Sequence, residues 1–473
     1  MKSTKHYAMP YAKIVSLIII GMLLIPTVAL ATNQTNSNSY FKNHVNNQID
    51  SDTFSLLIIT ADNFQPNLQP LVEHKDSYGM TTKLVTLSEV YEEMYWQGRD
   101  EPEKIKYYIK QAIEEWGIKY VLLVGDFRLM PIRYCYNAFE DWGEPRFISE
   151  LYYADIYDQN GSFSSWDTNN NGIYGEWYSE PAEDAGIDLY PDIAVGRLAC
   201  RNAFEVKIMV NKIINYEQNT FRSDWFNTIV VAGGDTYPTS MNPNWTELEG
   251  EENTKRVLEN MTGFDNITLW TSDGSFTGVR DMIRAINPGC GFIYMDGHAN
   301  PYRWSTHPPD DKTVWINGLS VLTMSLLRNK KKLPICVVGG CHNLQFDVHL
   351  GKLREEHWMY FTWIAECWGW KLTRKVGGGS IATIGCSGLG MTKEDKVSFS
   401  GAGDYLEPTF FYEYGQNGTQ YLGETWAKTI ISYINKYPVD WNEPAAGDNA
   451  IDAKTVQQWI LLGDPSLRIG GYP

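Results

Sequence analysis

Two short stretches of this chain carry side chains that could make and break bonds. The first is Gly291-Phe-Ile-Tyr-Met-Asp-Gly-His-Ala-Asn-Pro301, an apolar run that ends in Gly297 and His298. The second is Leu333-Pro-Ile-Cys-Val-Val-Gly-Gly-Cys-His-Asn343, another such run, ending in Gly340 and Cys341. A thiolate is a strong nucleophile, and a nearby imidazole can take the thiol's proton and return it to a leaving group. Cys341 and His298 are therefore candidates for thiol catalysis. The competing reading is a pair of buried structural residues, because a free Cys in apolar surroundings is inert. His342 adjoins Cys341, but neighbours in sequence rarely bring their side chains into hydrogen-bond geometry, so His298 is the better base.

The elements that would position these groups can be read from periodicity. Each apolar run is rich in Ile, Val and aromatics and reads as a buried strand, and the Gly that follows allows a sharp turn. In an open α/β sheet, sites form past the carboxyl ends of strands, where His298 and Cys341 would sit. The segment Ile316 to Lys332 reads as a crossover helix, which would make the two strands parallel with both tips at one edge. Upstream, strands at Phe54 to Thr60, Thr82 to Thr86 and Tyr120 to Val124 alternate with helices at Pro66 to Tyr78 and Pro102 to Trp116. A strand at Asp192 to Val195 and a helix at Asn202 to Gln218 complete that half. A second rhythm begins at Thr228 to Ala232, with a helix at Thr254 to Met261, a strand at Ile267 to Trp270 and a helix at Gly278 to Ile286. After the two central stretches come a strand at Gly379 to Ile384, two helices, and a final turn and strand over Gly463 to Ile469. This pattern predicts an α/β fold of two parallel-sheet subdomains, 53–222 and 223–473.

Composition narrows the function. The chain has 473 residues, a net charge of −17 and no basic stripe, which argues against a nucleic-acid partner. Lys2, Lys5 and Lys13 precede an apolar run from Ile14 to Leu24, with Ala29-Leu30-Ala31 as a cleavage site, so residues 1–31 read as a signal peptide. Residues 32–52, rich in Asn, Ser and Gln, read as a flexible leader. No other stretch is apolar enough to span a bilayer, so the mature chain is expected outside the cytoplasm, without a transmembrane domain. Seven Cys with no CxxC pair leave at least one free thiol and argue against structural zinc. Within the aromatic, Asn-rich segment 127–188, Asp167, Asn169 and Asn171 precede Gly172 and match the first half of a calcium loop. Tyr178 stands where an EF-hand has its glutamate, so Glu176 is the carboxylate that would complete a Ca2+ site. No organic cofactor is indicated.

Five stretches together resemble one family: Tyr120-Val-Leu-Leu-Val-Gly-Asp126 with Pro131; Asp192-Ile-Ala-Val-Gly-Arg197 with Lys212-Ile-Ile-Asn-Tyr-Glu217; Asp296-Gly-His298; Gly340-Cys341; and Leu462-Gly-Asp-Pro-Ser-Leu467. The chain resembles the gingipain family of cysteine peptidases, whose clan also holds caspases and legumains. The resemblance implies two α/β subdomains, the second caspase-like, and an exported endopeptidase with Cys341 and His298 as its dyad. It departs from the family in having Ala299 after the His, where Gly is common, and Gly340 before the Cys, where Ala is common. It also shows no long pro-segment before the first strand. The N–H groups of Cys341 and of Gly297 or Ala299 would form the oxyanion hole. The family draws an orienting acid from the loop after the first catalytic strand, which here offers Asp235. Its preference for cleavage after Arg or Lys rests on a pocket acid; the matching region holds Glu247, Glu249, Glu251 and Glu252. Those glutamates could equally favour a helix N-terminus through its dipole, with cleavage after Asp or Asn instead. Protein or peptide substrates and a monomer are expected. The alternative class, suggested by 17 Trp and 29 Tyr, is a non-catalytic surface or glycan-binding protein that keeps the fold.

Overall fold

The structure is a computed structural model that describes residues 53–473 apart from 138–143, 145, 242, 244, 350–363, 394–400 and 446. The expected signal peptide (1–31) and leader (32–52) lie outside the described residues.

Strands from both halves of the chain build one large, mostly parallel sheet of ten strands. The first half supplies β1 (Leu56–Thr60), β2 (Thr82–Thr86) and β3 (Tyr120–Val124). A small hairpin, β4 (Arg133–Cys135) with β5 (Phe147–Ser149), precedes β6 (Ala194–Leu198). The second half supplies β7 (Thr228–Gly233), β8 (Asp265–Trp270) and β9 (Phe292–Met295). The strands β10 (His298–Ala299), β11 (Arg303–Thr306) and β12 (Ile316–Ser320) form a separate antiparallel sheet. The chain then returns through β13 (Ile335–Val338), β14 (Ala382–Cys386) and β15 (Trp459–Leu462). The order across the main sheet is β2-β1-β3-β6-β15-β14-β13-β9-β7-β8. Strands such as β1, LLIIT, and β3, YVLLV, are buried along their whole length. That is why they read as continuous apolar runs: helices cover both faces of a parallel sheet.

β15 is parallel to β6 but antiparallel to β14, while every other neighbouring pair in the sheet is parallel. The two sets of strands therefore run in opposite directions, and their carboxyl ends lie at opposite edges. The β6–β15 seam is tight. Gly463 N–H donates to Arg197 O at 2.9 Å, and a Cβ on Gly196 would sit 2.5 Å from Gly463 O. Beneath it, the buried Lys75 ammonium lies 2.8 Å from both Glu217 and Asp464.

Three readings from sequence need correction. Ile316 to Lys332 is not a crossover helix: it is β12 followed by a single 3-10 turn, Thr323–Leu326. Gly318 explains the strand, since a Cβ there would lie 2.6 Å from the Trp304 ring, a close approach between strands that a helix would not make. The conclusion drawn from it still holds, because β9 and β13 are parallel neighbours, Met295 beside Val338. Gly463 to Ile469 holds no strand of the sheet but a turn, with Arg468 bridging back to Tyr421. The helix read from Thr254 begins earlier, at Glu249, and runs to Asn260. Its acidic first turn, Glu249, Glu251 and Glu252, complements the N-terminal dipole.

Candidate functional site

β9 and β13 deliver their following loops to the same edge. Gly340, at φ +106°, lies outside the conformations open to a side-chain-bearing residue. It packs so closely on the other loop that a Cβ would lie 2.6 Å from Ala299 N and 2.9 Å from Gly297 O. His298 and Cys341 consequently line one cleft, of about 480 Å³ with its open solvent, together with Thr236, Tyr237, Glu249 and Asp296. Gly390, Met391, Asp404 and Glu407 close its other side.

The His298 ring is held at one nitrogen. Nε2 lies 2.8 Å from the Thr236 carbonyl. A carbonyl only accepts, so Nε2 carries the proton of the neutral ring and Nδ1 keeps its lone pair. Tyr237, His307 and Trp315 surround the ring at 5.7, 5.6 and 5.3 Å between centroids. Burial lowers the His298 pKa below its ordinary value, against the Thr236 carbonyl, which raises it. The Cys341 thiol is turned to the Gly390 carbonyl, 3.9 Å away, and has no hydrogen bond to the ring. Burial pushes that thiol up to about 11, so the resting pair is neutral thiol and neutral imidazole.

Asp235 adjoins Thr236 in sequence but is not bonded to the ring. Its Oδ2 accepts from Asp310 N–H at 2.8 Å, and its backbone bridges to His307. It thereby fixes the strand end that carries Thr236, whose carbonyl orients the ring. Asp296, the nearer acid in sequence, accepts from Asn253 Nδ2 at 2.6 Å. Of the expected oxyanion donors, Ala299 N abuts Gly340.

The four glutamates separate clearly. Glu249 is buried, lines the cleft and accepts from Tyr237 N–H at 3.1 Å. Glu251 is buried against Ser272 and Thr271, Glu252 pairs with Lys255 at the surface, and Glu247 is exposed. Two acids that sequence reasoning missed complete the wall, Asp404 and Glu407, on the helix Gly403–Gly415. Asp404 Oδ1 shares the Asn253 amide with Asp296, at 2.7 Å. Glu407 lies against Gly339, where a Cβ would meet its Oε2 at 2.8 Å. Asp404 Oδ2 and Glu407 Oε2 are buried without a hydrogen-bond partner. Burial pushes both carboxyls well above the usual range. A usable signal was present: two acids spaced i, i+3 in Gly-Asp-Tyr-Leu-Glu-Pro-Thr-Phe-Phe411, a stretch rich in aromatic residues.

The loop read for calcium is built from oxygen donors. Asp167 accepts from the N–H groups of Asn171 and Gly172 at 2.9 and 3.1 Å, and Asn169 Oδ1 accepts from Asn171 N–H at 2.9 Å. The side-chain amides of Asn171 and Asn169 approach Glu176 Oε2 at 2.6 and 3.5 Å. Oxygens wrapped round such a turn fit a hard cation. Arg99 already places a guanidinium 2.6 Å from Asp167. Among the described residues, no group of three or more His, Cys, Asp or Glu is placed to hold a metal. No helix among them is long and apolar enough to cross a membrane.

The fold is similar to that of a solved Arg-specific cysteine proteinase, gingipain R, with a TM-score of 0.61 at 17% identity over 90% of this chain and 80% of that one. In sequence, gingipain R2 of Porphyromonas gingivalis is 20% identical over 419 residues, 88% of this chain. The chain spans less than half the length of that curated relative, 46%. An uncharacterized protein of Archaeoglobus fulgidus is 22% identical over 361 residues, 74% of this chain and 79% of its own length. Residues 49–470 match the profile of Peptidase family C25, and the chain belongs to that family of cysteine peptidases.

Proposed function

We propose that this protein is a thiol-dependent endopeptidase, exported by its leading segment, with Cys341 as nucleophile and His298 as base. The observation that carries the proposal is the shared cleft, in which one ring nitrogen is committed to the Thr236 carbonyl and the other is left as a base. Substrate entry displaces the thiol from Gly390, and Nδ1 of His298 takes its proton as sulfur bonds to the scissile carbonyl carbon. The oxyanion is received by the N–H groups of Cys341 and Ala299; one such donor is worth roughly 3 kcal/mol. The imidazolium then protonates the leaving amine, and water releases the acyl group from sulfur. Asp235 acts through the strand end it holds.

Gingipain R is an Arg-specific cysteine proteinase, and basic specificity is proposed here on the cleft's own chemistry. Glu249, Asp404 and Glu407 stand in its wall, and a carboxylate in a desolvated pocket selects a guanidinium or ammonium by a charge-assisted pair. Calcium is proposed at Asp167, Asn169, Asn171 and Glu176, in competition with Arg99. Protein or peptide chains are the expected substrates.

Titration with thiol-directed peptidyl inhibitors tests the reading. Labelling of Cys341 by an inhibitor with Arg at P1, abolished in His298→Ala, supports it. Folded protein that accepts no such inhibitor, whatever the P1 residue, points instead to a non-catalytic binding protein.

A further inference from the structure

The nucleophile is flanked by a second charged group that the catalytic scheme leaves idle. Glu144 reaches in from the segment between β4 and β5, and Lys454 from the helix Asp448–Gln458 that leads into β15. The two are buried and joined as an ion pair. Glu144 Oε1 also accepts Leu389 N–H at 2.7 Å, one residue before the Gly390 carbonyl that holds the Cys341 thiol. The same oxygen lies 3.5 Å from Nε2 of His342, the residue after Cys341. His342 adopts φ +55°, and its N–H donates to Gly388 O at 2.7 Å. A Cβ on Gly388 would come within 2.7 Å of Glu144 Oε1, so this wall packs directly on the carboxylate. One carboxylate thus grips both segments beside the sulfur.

We propose that the Glu144–Lys454 pair is a positioning device that sets how readily the Cys341 thiol ionises and holds the two walls of its pocket in register. The inference rests on Cys341 being the nucleophile. Other groups face this region too: His342 on the nucleophile's own loop, Cys386 on β14, Asp347 near His342, and, across the cleft, Tyr237, His298 and the carboxyls Glu249, Asp296, Asp404 and Glu407. Only the pair adds a full charge of each sign. The Glu144 carboxylate opposes thiolate formation and the Lys454 ammonium favours it. Burial is the larger influence on the sulfur, the two charges act on it in opposite directions, and deleting either one must unbalance them. A purely structural pair would not give shifts of opposite sign.

The test is the rate of Cys341 alkylation by iodoacetamide against pH in the full chain, read by mass spectrometry on the peptide that carries it. Glu144→Gln is expected to lower the midpoint and Lys454→Met to raise it, each by about one pH unit, and the double variant to return towards the parent. Single variants that shift in the same direction, or not at all while melting cooperatively, overturn the proposal. If either fails to fold, Glu144→Asp serves, since it withdraws the carboxylate by one methylene. It should lower the midpoint less and reduce kcat at unchanged KM; folded E144D with parent-like midpoint and kcat overturns the proposal. Alkylation needs no substrate, so it answers even for a chain that cleaves nothing. An active peptidase with unmoved midpoints removes this inference alone.

Discussion

Replacing Glu249 by Gln should stabilise the protein while weakening its proposed selectivity. Glu249 is buried at the first turn of its helix, and burial, with Asp235 and Asp296 nearby, pushes its carboxyl up to about 7. An acid whose folded pKa lies above its unfolded value binds more protons when folded. Stability is then undiminished below the unfolded value and falls as pH rises, until the group is fully ionised above its folded pKa. A rise from the ordinary glutamate value to about 7 corresponds to about 3 kcal/mol at full ionisation. Gln keeps the shape and the acceptor for Tyr237 N–H but carries no charge. Glu249→Gln should therefore melt about 3–6 °C above the parent near pH 8, and together with it near pH 4. Differential scanning calorimetry at the two pH values reads the effect. Turnover of substrates with Arg at P1 should fall, and turnover of neutral ones should not. A variant that melts below its parent near pH 8 would refute the reasoning, because it would make the carboxylate a net helix-capping asset.

Three further outcomes follow from the same geometry. Gly340→Ala meets both a backbone conformation closed to Ala and a Cβ 2.6 Å from Ala299 N, so denaturant unfolding should show a loss of about 2–6 kcal/mol. Gly79→Ala, also at positive φ but with open space around its Cβ, should show only the backbone part of that cost. Because burial lowers the His298 pKa, kcat/KM should rise with pH through a limb below the ordinary histidine value and then stay level until the thiol titrates near 11; a limb above that ordinary value would contradict a buried neutral ring. Excess chelator should lower the melting temperature if calcium holds the Asp167 loop, and Asp167→Asn should remove that response; an unchanged melting temperature would leave the loop to Arg99 alone.

Much of the site's placement was legible in sequence because it depends on local pattern. Phe292 to Met295 and Ile335 to Val338 are too short and too apolar for surface helices, and each leads through Gly to a reactive side chain. The segment between them was harder. Ile316 to Ser320 is an edge strand of a small sheet, and its apolar spacing also suits a helix until Trp304 is known to lie against Gly318. The group that orients His298 could not be read at all, because a backbone carbonyl such as that of Thr236 has no sequence signature. Asp404 and Glu407 arrive from a helix more than sixty residues beyond Cys341, and only tertiary packing turns them towards it. Strand order was equally hidden: nothing local in Trp459 to Leu462 says that it lies between β14 and β6.

That late strand fixes when the cleft can close. β15 follows all nine other strands of the main sheet in chain order, yet it occupies a central position. A chain that emerges amino end first can pair β1, β2, β3 and β6 early, and β7, β8, β9, β13 and β14 later, but the two blocks stay unjoined until residues 459–462 appear. Gln458, immediately before β15, also clasps the Leu389 carbonyl and the Ser387 N–H beside Cys341. The cleft is therefore assembled last, and a half-made chain carries Cys341 and His298 without the wall that completes the proposed site.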